Sequence, residues 1–261
     1  MPSSPSPSPS WSGRAARRKP LLIAAAVAAA SVALGLASWQ ATKPADRADR
    51  ADRGSSAAQP RSAGSDTRAG LAALARRDAG DKLAVGRADA PVVLIEYSDF
   101  RCGYCGKFTR DTEPGLIAKY VEDGTLRIEW RNFPIFGAES EAAARAAWAA
   151  GQQDRFRPFH AAAYAEGAKE KGFGEARLLE LAREAGVPDL ERFRRDMAGE
   201  GAASALHKDQ EEGYGIGVSS TPSFLVNGRP IAGAQPQAAF AAAIEQAKAR
   251  AGAAAGAGAA R

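Results

Sequence analysis

From Pro91 onward the chain alternates short apolar runs with stretches whose apolar residues recur at helical spacing. VVLIEY, residues 92–97, is a nearly continuous apolar run rich in β-branched residues, the pattern of a strand buried on both faces. The segment from Cys102 to about Tyr120 predicts a helix, with Pro114 bending it midway. Asp123-Gly124 predicts a turn, and TLRIEW, residues 125–130, alternates as a second strand.

Between about Ala138 and Tyr214 the pattern becomes helical. EAAARAAWAA and RLLELAREAG each predict a helix, and in LERFRRDM the residues Leu190, Phe193 and Met197 recur at helical spacing. SFLVNGRPIAG then predicts a hairpin, because Asn227-Gly228 supplies the two residues of a type I′ turn. Residues Gln235 to Arg250 predict a final helix. Short strands flanking helices argue for a layered α/β core carrying a helical insertion at about 138–214.

The first seventy residues follow no such pattern. Residues 21–39 read LLIAAAVAAASVALGLASW, and no charge interrupts the chain between Lys19 and Lys43. A helix of that length spans a bilayer core. Arg14, Arg17, Arg18 and Lys19 lie just before it as a cytoplasmic flank should, which favours an N-in, C-out anchor over residues 21–39 behind a cytoplasmic tail at 1–20. The competing reading is a cleaved signal, since Gly35-Leu36-Ala37 offers small residues at a cut site and Arg17-Arg18 resembles a twin-arginine signal. ADRADRADR at 45–53 and the Ser, Gly and Pro after it bury no core, so 40–69 is expected to be a disordered linker. AGAAAGAGAAR at 251–261 is expected to be a disordered tail.

Charge sharpens this division. Residues 1–69 hold 10 Lys/Arg against 4 Asp/Glu, whereas residues 70–261 hold 25 against 26, so the net +5 comes from the N-terminal segment. A nucleic-acid-binding domain needs its basic excess in the folded part, and that class is set aside. About 190 folded residues are ample for one core.

The chemistry lies in CGYC. Cys102 and Cys105 are the only cysteines in 261 residues, too few for a disulfide-stapled scaffold. They form a reactive dithiol, half of a metal site, or two inert core residues. A tetrahedral zinc site needs two more ligands, and His160 and His207 lack paired-ligand spacing. At a helix N-terminus, unpaired N–H groups and the helix dipole favour an anion, so Cys102 would be the activated thiolate. Cys105, one turn on, could resolve a mixed disulfide formed at Cys102. His160 and Trp148 are read as core or groove-lining residues of the helical block.

A strand ending in EYSDFRCGYC and a distant VSSTPSFLVNG resemble the thioredoxin superfamily, and the helical block between them resembles its DsbA-like branch of thiol:disulfide oxidoreductases, in particular the membrane-anchored kind of Gram-positive bacteria. The resemblance covers roughly residues 80–250. It implies a thioredoxin-like fold with an inserted helical domain within residues 70–250, preceded here by the transmembrane helix and linker. It assigns Cys102 as nucleophile, Cys105 as resolving cysteine and Pro222 as the cis-proline facing them. Thr221 would offer its backbone to a substrate strand, with Gly103 and Tyr104 beside it as substrate contacts. Glu96 matches the family's buried acid, whose raised pKa would let it relay a proton with Cys105. Strongly oxidising members often carry Pro-His where this chain has Gly103-Tyr104, and Ser220 stands where a glycine is common.

Together these readings describe an enzyme without a cofactor, anchored in the cell membrane with its catalytic domain extracytoplasmic, or secreted if the signal is cleaved. The expected partners are reduced or unfolded exported proteins and a quinone-linked membrane re-oxidase of the DsbB-like or VKOR-like kind. The expected state is a monomer. A disulfide reductase or isomerase on the same fold is the alternative, and a non-catalytic peptide-binding or chaperone module is a third, weakened by the intact cysteine pair.

Overall fold

The computed structural model describes residues 61–259. The anchor or signal at 21–39, the tail before it and the linker up to residue 60 lie outside the described residues. Among the described residues no helix is long and apolar enough to cross a membrane.

Five strands form one mixed sheet: β1 (Ala84–Val85), β2 (Val92–Ser98), β3 (Leu126–Asn132), β4 (Ser223–Val226) and β5 (Arg229–Ala232), in the order β1-β3-β2-β4-β5. β2 and β3 run parallel, and the other pairs are antiparallel. Every residue of β2 and β3 is buried, which explains why VVLIEY is apolar almost throughout. β1 is an addition that two residues of sequence could not announce.

Helices cover both faces. On one face Val92 and Leu94 pack with Phe108 of α2 (Gly103–Asp111) and with Phe240 and Ile244 of α9 (Gln237–Ala259). Phe108, Phe224 and Phe240 form a trio with centroids 4.5 to 5.1 Å apart. Each such aromatic pair stabilises by about 0.5–1.5 kcal/mol beyond its burial. On the opposite face Val93, Ile95 and Tyr97 pack with Phe133, Leu225 and the partly buried Leu71 and Leu74.

The helical block is α4 (Ala138–Gly151), α5 (Phe156–Ala163), α6 (Glu175–Glu184), α7 (Leu190–Ala198) and α8 (Glu200–Gly215). It has its own core, in which alanines of α4 meet Phe159, Leu178, Leu181 and Phe193. The run of alanines in α4 is therefore a close-packing surface. α8 is tied to the sheet by buried charge. Arg131 pairs with Glu129 and Glu212, Arg76 pairs with Asp209 and Glu212, and the Tyr97 hydroxyl donates to Glu212 at 2.8 Å. This network fixes the end of α8 from which the 216–222 loop departs toward the cysteines.

Three expectations need correction. The linker does not extend to residue 69, because α1 occupies Arg61–Ala72. Its Leu71, with Leu74 just beyond, rests on the sheet core, an apolar contact that the polar composition before it concealed. The C-terminal tail is helical as far as Ala259, since α9 continues through AGAAAGAGA; alanine's high helix propensity outweighs the cost of its glycines. The helix expected from Cys102 to Tyr120 is broken rather than bent. α2 ends at Asp111, α3 (Glu113–Leu116) restarts with Pro114 in its first turn, and a π-helical turn over Ile117–Val121 follows. The hairpin has the expected turn, with positive φ at both Asn227 and Gly228. A side chain at Gly228 would meet the Arg68 carbonyl oxygen at 2.2 Å, so α1 requires glycine there.

Candidate active site

β2 delivers the chain to the carboxyl edge of the sheet, where Asp99 organises the turn into α2. The buried Asp99 carboxylate accepts from the backbone N–H groups of Arg101 and Ile135 at 2.7 Å and from the Ser140 hydroxyl at 2.8 Å. The Cys102 N–H donates to the Asp99 carbonyl at 3.0 Å. These bonds set Cys102 in extended conformation as the N-cap of α2, where a serine or aspartate ordinarily sits. Its Sγ accepts from the Cys105 N–H at 3.3 Å.

The second wall is the 216–222 loop. The Thr221–Pro222 peptide bond is cis. In its thiol form Cys102 donates from Sγ to the Thr221 carbonyl oxygen at 3.2 Å. The structure therefore joins Cys102, Cys105, Thr221 and Pro222 in one place. Gly103 and Tyr104 lie on the outer rim, and the Tyr104 side chain is 68 % exposed.

The two sulfurs stand in opposite electrostatic settings. Hydrogen bonding with Cys105 pulls the Cys102 thiol down to about 6, against the cost of its burial and with smaller help from Thr221 and the backbone N–H groups of Cys105 and Tyr104. The Thr221 hydroxyl has no other partner among the described residues. Burial pushes the Cys105 thiol well above its ordinary value, and the neighbouring Cys102 raises it further. A thiolate is thus favoured at Cys102 and opposed at Cys105.

Glu96 lies on β2, the strand that leads to the pair, fully buried, opposite Trp130 of β3 and Phe224 of β4. Neither carboxyl oxygen has a hydrogen-bond partner among the described residues. Burial holds its pKa well above the carboxylate range, with the Glu113 carboxylate adding to the effect.

Several site residues were not legible in the sequence. Tyr164, just after α5, stacks on Phe100 with centroids 4.9 Å apart, and its hydroxyl shares a 3.2 Å hydrogen bond with Ser98. With Phe100, Arg110 and Lys169 it lines a cleft of about 240 Å³ beside Cys102. Asp99 is adjacent to the motif, and its position before a strand-to-helix turn was the one available signal. Tyr164 and Lys169 carried none, since each arrives from the insertion, about 60 residues away. His160 and Trp148 belong to the insertion's core and its margin, as their apolar settings suggested.

Comparisons with known proteins agree with this geometry. A family model described as thioredoxin matches residues 78–246. The chain is 31% identical over 150 residues to a probable disulfide bond formation protein D of Bacillus cereus, covering 55% of this chain and 69% of that protein. It is 34% identical over 164 residues to a Na(+)/H(+) antiporter NhaA 3 of Salinispora tropica, covering 62% of this chain. There the match spans only 24% of the antiporter's length. The crystal structure of oxidised BdbD from Bacillus subtilis shares the fold, with a TM-score of 0.60 at 23% identity, covering 65% of this chain and 93% of that one. The match over most of the folded chain, with the cysteine pair at the head of α2 and the cis-proline opposite it, means that the chain belongs to the thioredoxin family, in the DsbA-like branch of thiol:disulfide oxidoreductases.

Proposed function

We propose that the chain introduces disulfide bonds into extracytoplasmic proteins through the Cys102–Cys105 dithiol. The observation that carries this reading is the Cys102 sulfur, capping a helix and facing the Thr221 carbonyl. In the oxidised enzyme a substrate thiolate attacks Cys102 Sγ. The substrate–Cys102 bond forms as the Cys102–Cys105 bond breaks, and the electron pair stays on Cys105, which takes a proton from Glu96. A second substrate thiolate then attacks the substrate sulfur and closes the substrate disulfide. Cys102 leaves as the stabilised thiolate, so the substrate loses two electrons and the enzyme gains two.

Substrate strands pair along the backbone at Thr221 and Pro222, while Tyr104 and Gly103 contact the flanking residues. The substrates are exported proteins met in a reduced or unfolded state. A quinone-linked membrane partner of the DsbB-like or VKOR-like kind returns the dithiol to the disulfide. The charge-free run at 21–39, with its upstream arginines, supports a single-pass anchor holding the domain outside the membrane. The domain is proposed to act as a monomer.

The test is the equilibrium of the dithiol against glutathione buffers. A strong oxidase lies near about −120 mV and a reductase near about −270 mV. A low Cys102 pKa stabilises the reduced form, so the potential is expected toward the oxidising end. A value near the reductase end would assign the reverse direction of electron flow.

A further inference from the structure

Another buried carboxyl, Glu113, lies near the sheet edge where β1 meets β3. Glu113 heads α3 and is 4% exposed. One of its oxygens is ion-paired with Arg157 of α5, and the other lies 3.9 Å from Nδ1 of the buried His160. The Arg157 side chain is 41% exposed, so it joins a buried acid to solvent. Glu113 and Arg157 also line a cavity of about 10 Å³, whose remaining walls include Ala84, Val85, Ile128 and Trp130. That is room for one water. Trp130 is the strand neighbour of Glu96, and its ring centroid lies 4.5 Å from that of His160.

Burying a carboxyl costs more than an isosteric apolar side chain unless its bonds are complete. The oxygens of Glu96 and Nε2 of His160 have no partners among the described residues. Burial raises Glu113 and lowers His160, with Arg157 opposing the shift at Glu113 and adding to the one at His160.

Resting on the oxidoreductase reading above, we propose that Glu113 is the outer station of a proton path, passing protons between Glu96 and solvent through the water-sized cavity it shares with Arg157. The cavity shares no lining residue with the cleft beside Cys102, so on this proposal it stays open while a substrate covers the dithiol. When Cys105 attacks the mixed disulfide on Cys102, its proton passes to Glu96 and out past Glu113. When Cys105 is the leaving group, a proton returns the same way. The charged and titratable groups facing this path are Glu96 of β2, Cys102 and Cys105 at the head of α2, Arg157 and His160 of α5, and Tyr164. β1 and β3 contribute apolar walls to it. Glu113 acts through Glu96 and is a positioning residue.

The experiment follows release of a single-cysteine peptide from its mixed disulfide with Cys102 in the full chain, between pH 5 and 9. General acid–base groups contribute about 10²–10⁴ in rate. Removing an outer station that leaves Glu96 in place is expected to cost less. Glu113→Gln is expected to slow release roughly tenfold near pH 7 and to flatten the rise of the profile, while alkylation of Cys102 proceeds at the parent rate. Arg157→Gln is expected to slow release by a smaller factor and to shift the rise of the profile upward, because an unpaired Glu113 holds its proton more firmly. If Glu96→Gln slows release while the Glu113→Gln profile overlays the parent, the path does not run through Glu113. If Glu113→Gln does not fold, Arg157→Gln decides, and an unchanged profile overturns the proposal. A parent that releases no peptide at any pH would instead overturn the oxidoreductase reading and the path with it.

Discussion

The Cys102 sulfur lies 3.2 Å from the carbonyl oxygen of Thr221, across 119 residues of chain. That one contact brings the dithiol-bearing helix and the strand-entry loop together, on the surface proposed above for docking a substrate backbone. It also divides the two cysteines. Cys102 faces the groove, and Cys105 faces the interior, with no exposure at all.

The division predicts which sulfur reacts. With Cys102 near 6 and Cys105 well above the ordinary thiol value, alkylation of the reduced protein at pH 6.5 should label Cys102 by at least tenfold over Cys105. Cys102→Ser should abolish exchange, and Cys105→Ser should accumulate covalent complexes with substrate. Faster labelling of Cys105, located by peptide mapping, would contradict the assignment.

The same shift links reduced-state stability to pH. An unfolded thiol titrates near about 8.5, and Cys102 does so near about 6. Its folded pKa is depressed, so its contribution is complete above about pH 8.5 and is lost as pH falls through about 6. Allowing for solvent screening, a contribution of order 1 kcal/mol at pH 7.5 is expected. Melting of the reduced parent and of Cys102→Ser between pH 5 and 8 should show a difference that grows with pH. A constant difference would remove thiolate stabilisation from the account.

Glu96 should cost stability. Its pKa is raised, so the penalty is absent below about pH 4, where the carboxyl is protonated in both states, and it grows as pH rises above that value. Glu96→Leu removes a buried group without partners. It is expected to stabilise by about 1–3 kcal/mol at pH 7, a rise in Tm of roughly 2–10 °C, while slowing turnover. Equal Tm values at pH 7 would mean that the carboxyl finds partners.

The charge network under α8 has the opposite role. Arg131 is fully buried between Glu129 and Glu212, and against the cost of burial the Arg127 and Arg131 guanidiniums hold the Glu129 carboxyl down to about 2. Arg131→Leu takes one partner from each of two carboxylates, Glu129 keeping Arg127 and Glu212 keeping Arg76 and the Tyr97 hydroxyl, and is expected to destabilise by about 1–3 kcal/mol. Denaturant unfolding measures the loss, and a change below 1 kcal/mol would refute the buried pairing. Stability held by Glu129 should fall away as pH drops from about 4 through about 2.

Tyr104 offers a test of substrate contact apart from chemistry. Its ring is exposed beside Cys102. Tyr104→Ala is expected to weaken capture of an unfolded reduced protein about threefold to tenfold, consistent with losing one aromatic contact. Cys102 alkylation should be unchanged. Equal KM values for parent and variant would remove Tyr104 from the binding surface.

Local sequence determined much of this protein. VVLIEY is apolar at nearly every position because β2 is buried on both faces, and Asn227-Gly228 makes the turn because both residues must take positive φ. CGYC at a strand-to-helix junction placed the cysteine pair at the head of α2, since spacing and helix position are short-range properties. Other features depended on contacts between distant segments. The linker's end became α1 because Leu71 and Leu74 found a sheet to rest on, and no local pattern reports the presence of that surface. Tyr164 and Lys169 join the site because the insertion folds back over α2. Glu113, in a segment that read simply as helix, is buried beside Arg157 and His160 only once α3 and α5 have packed. Whether a carboxyl is a solvated surface group or a proton station is decided by desolvation and by its partners, and both are properties of the tertiary structure.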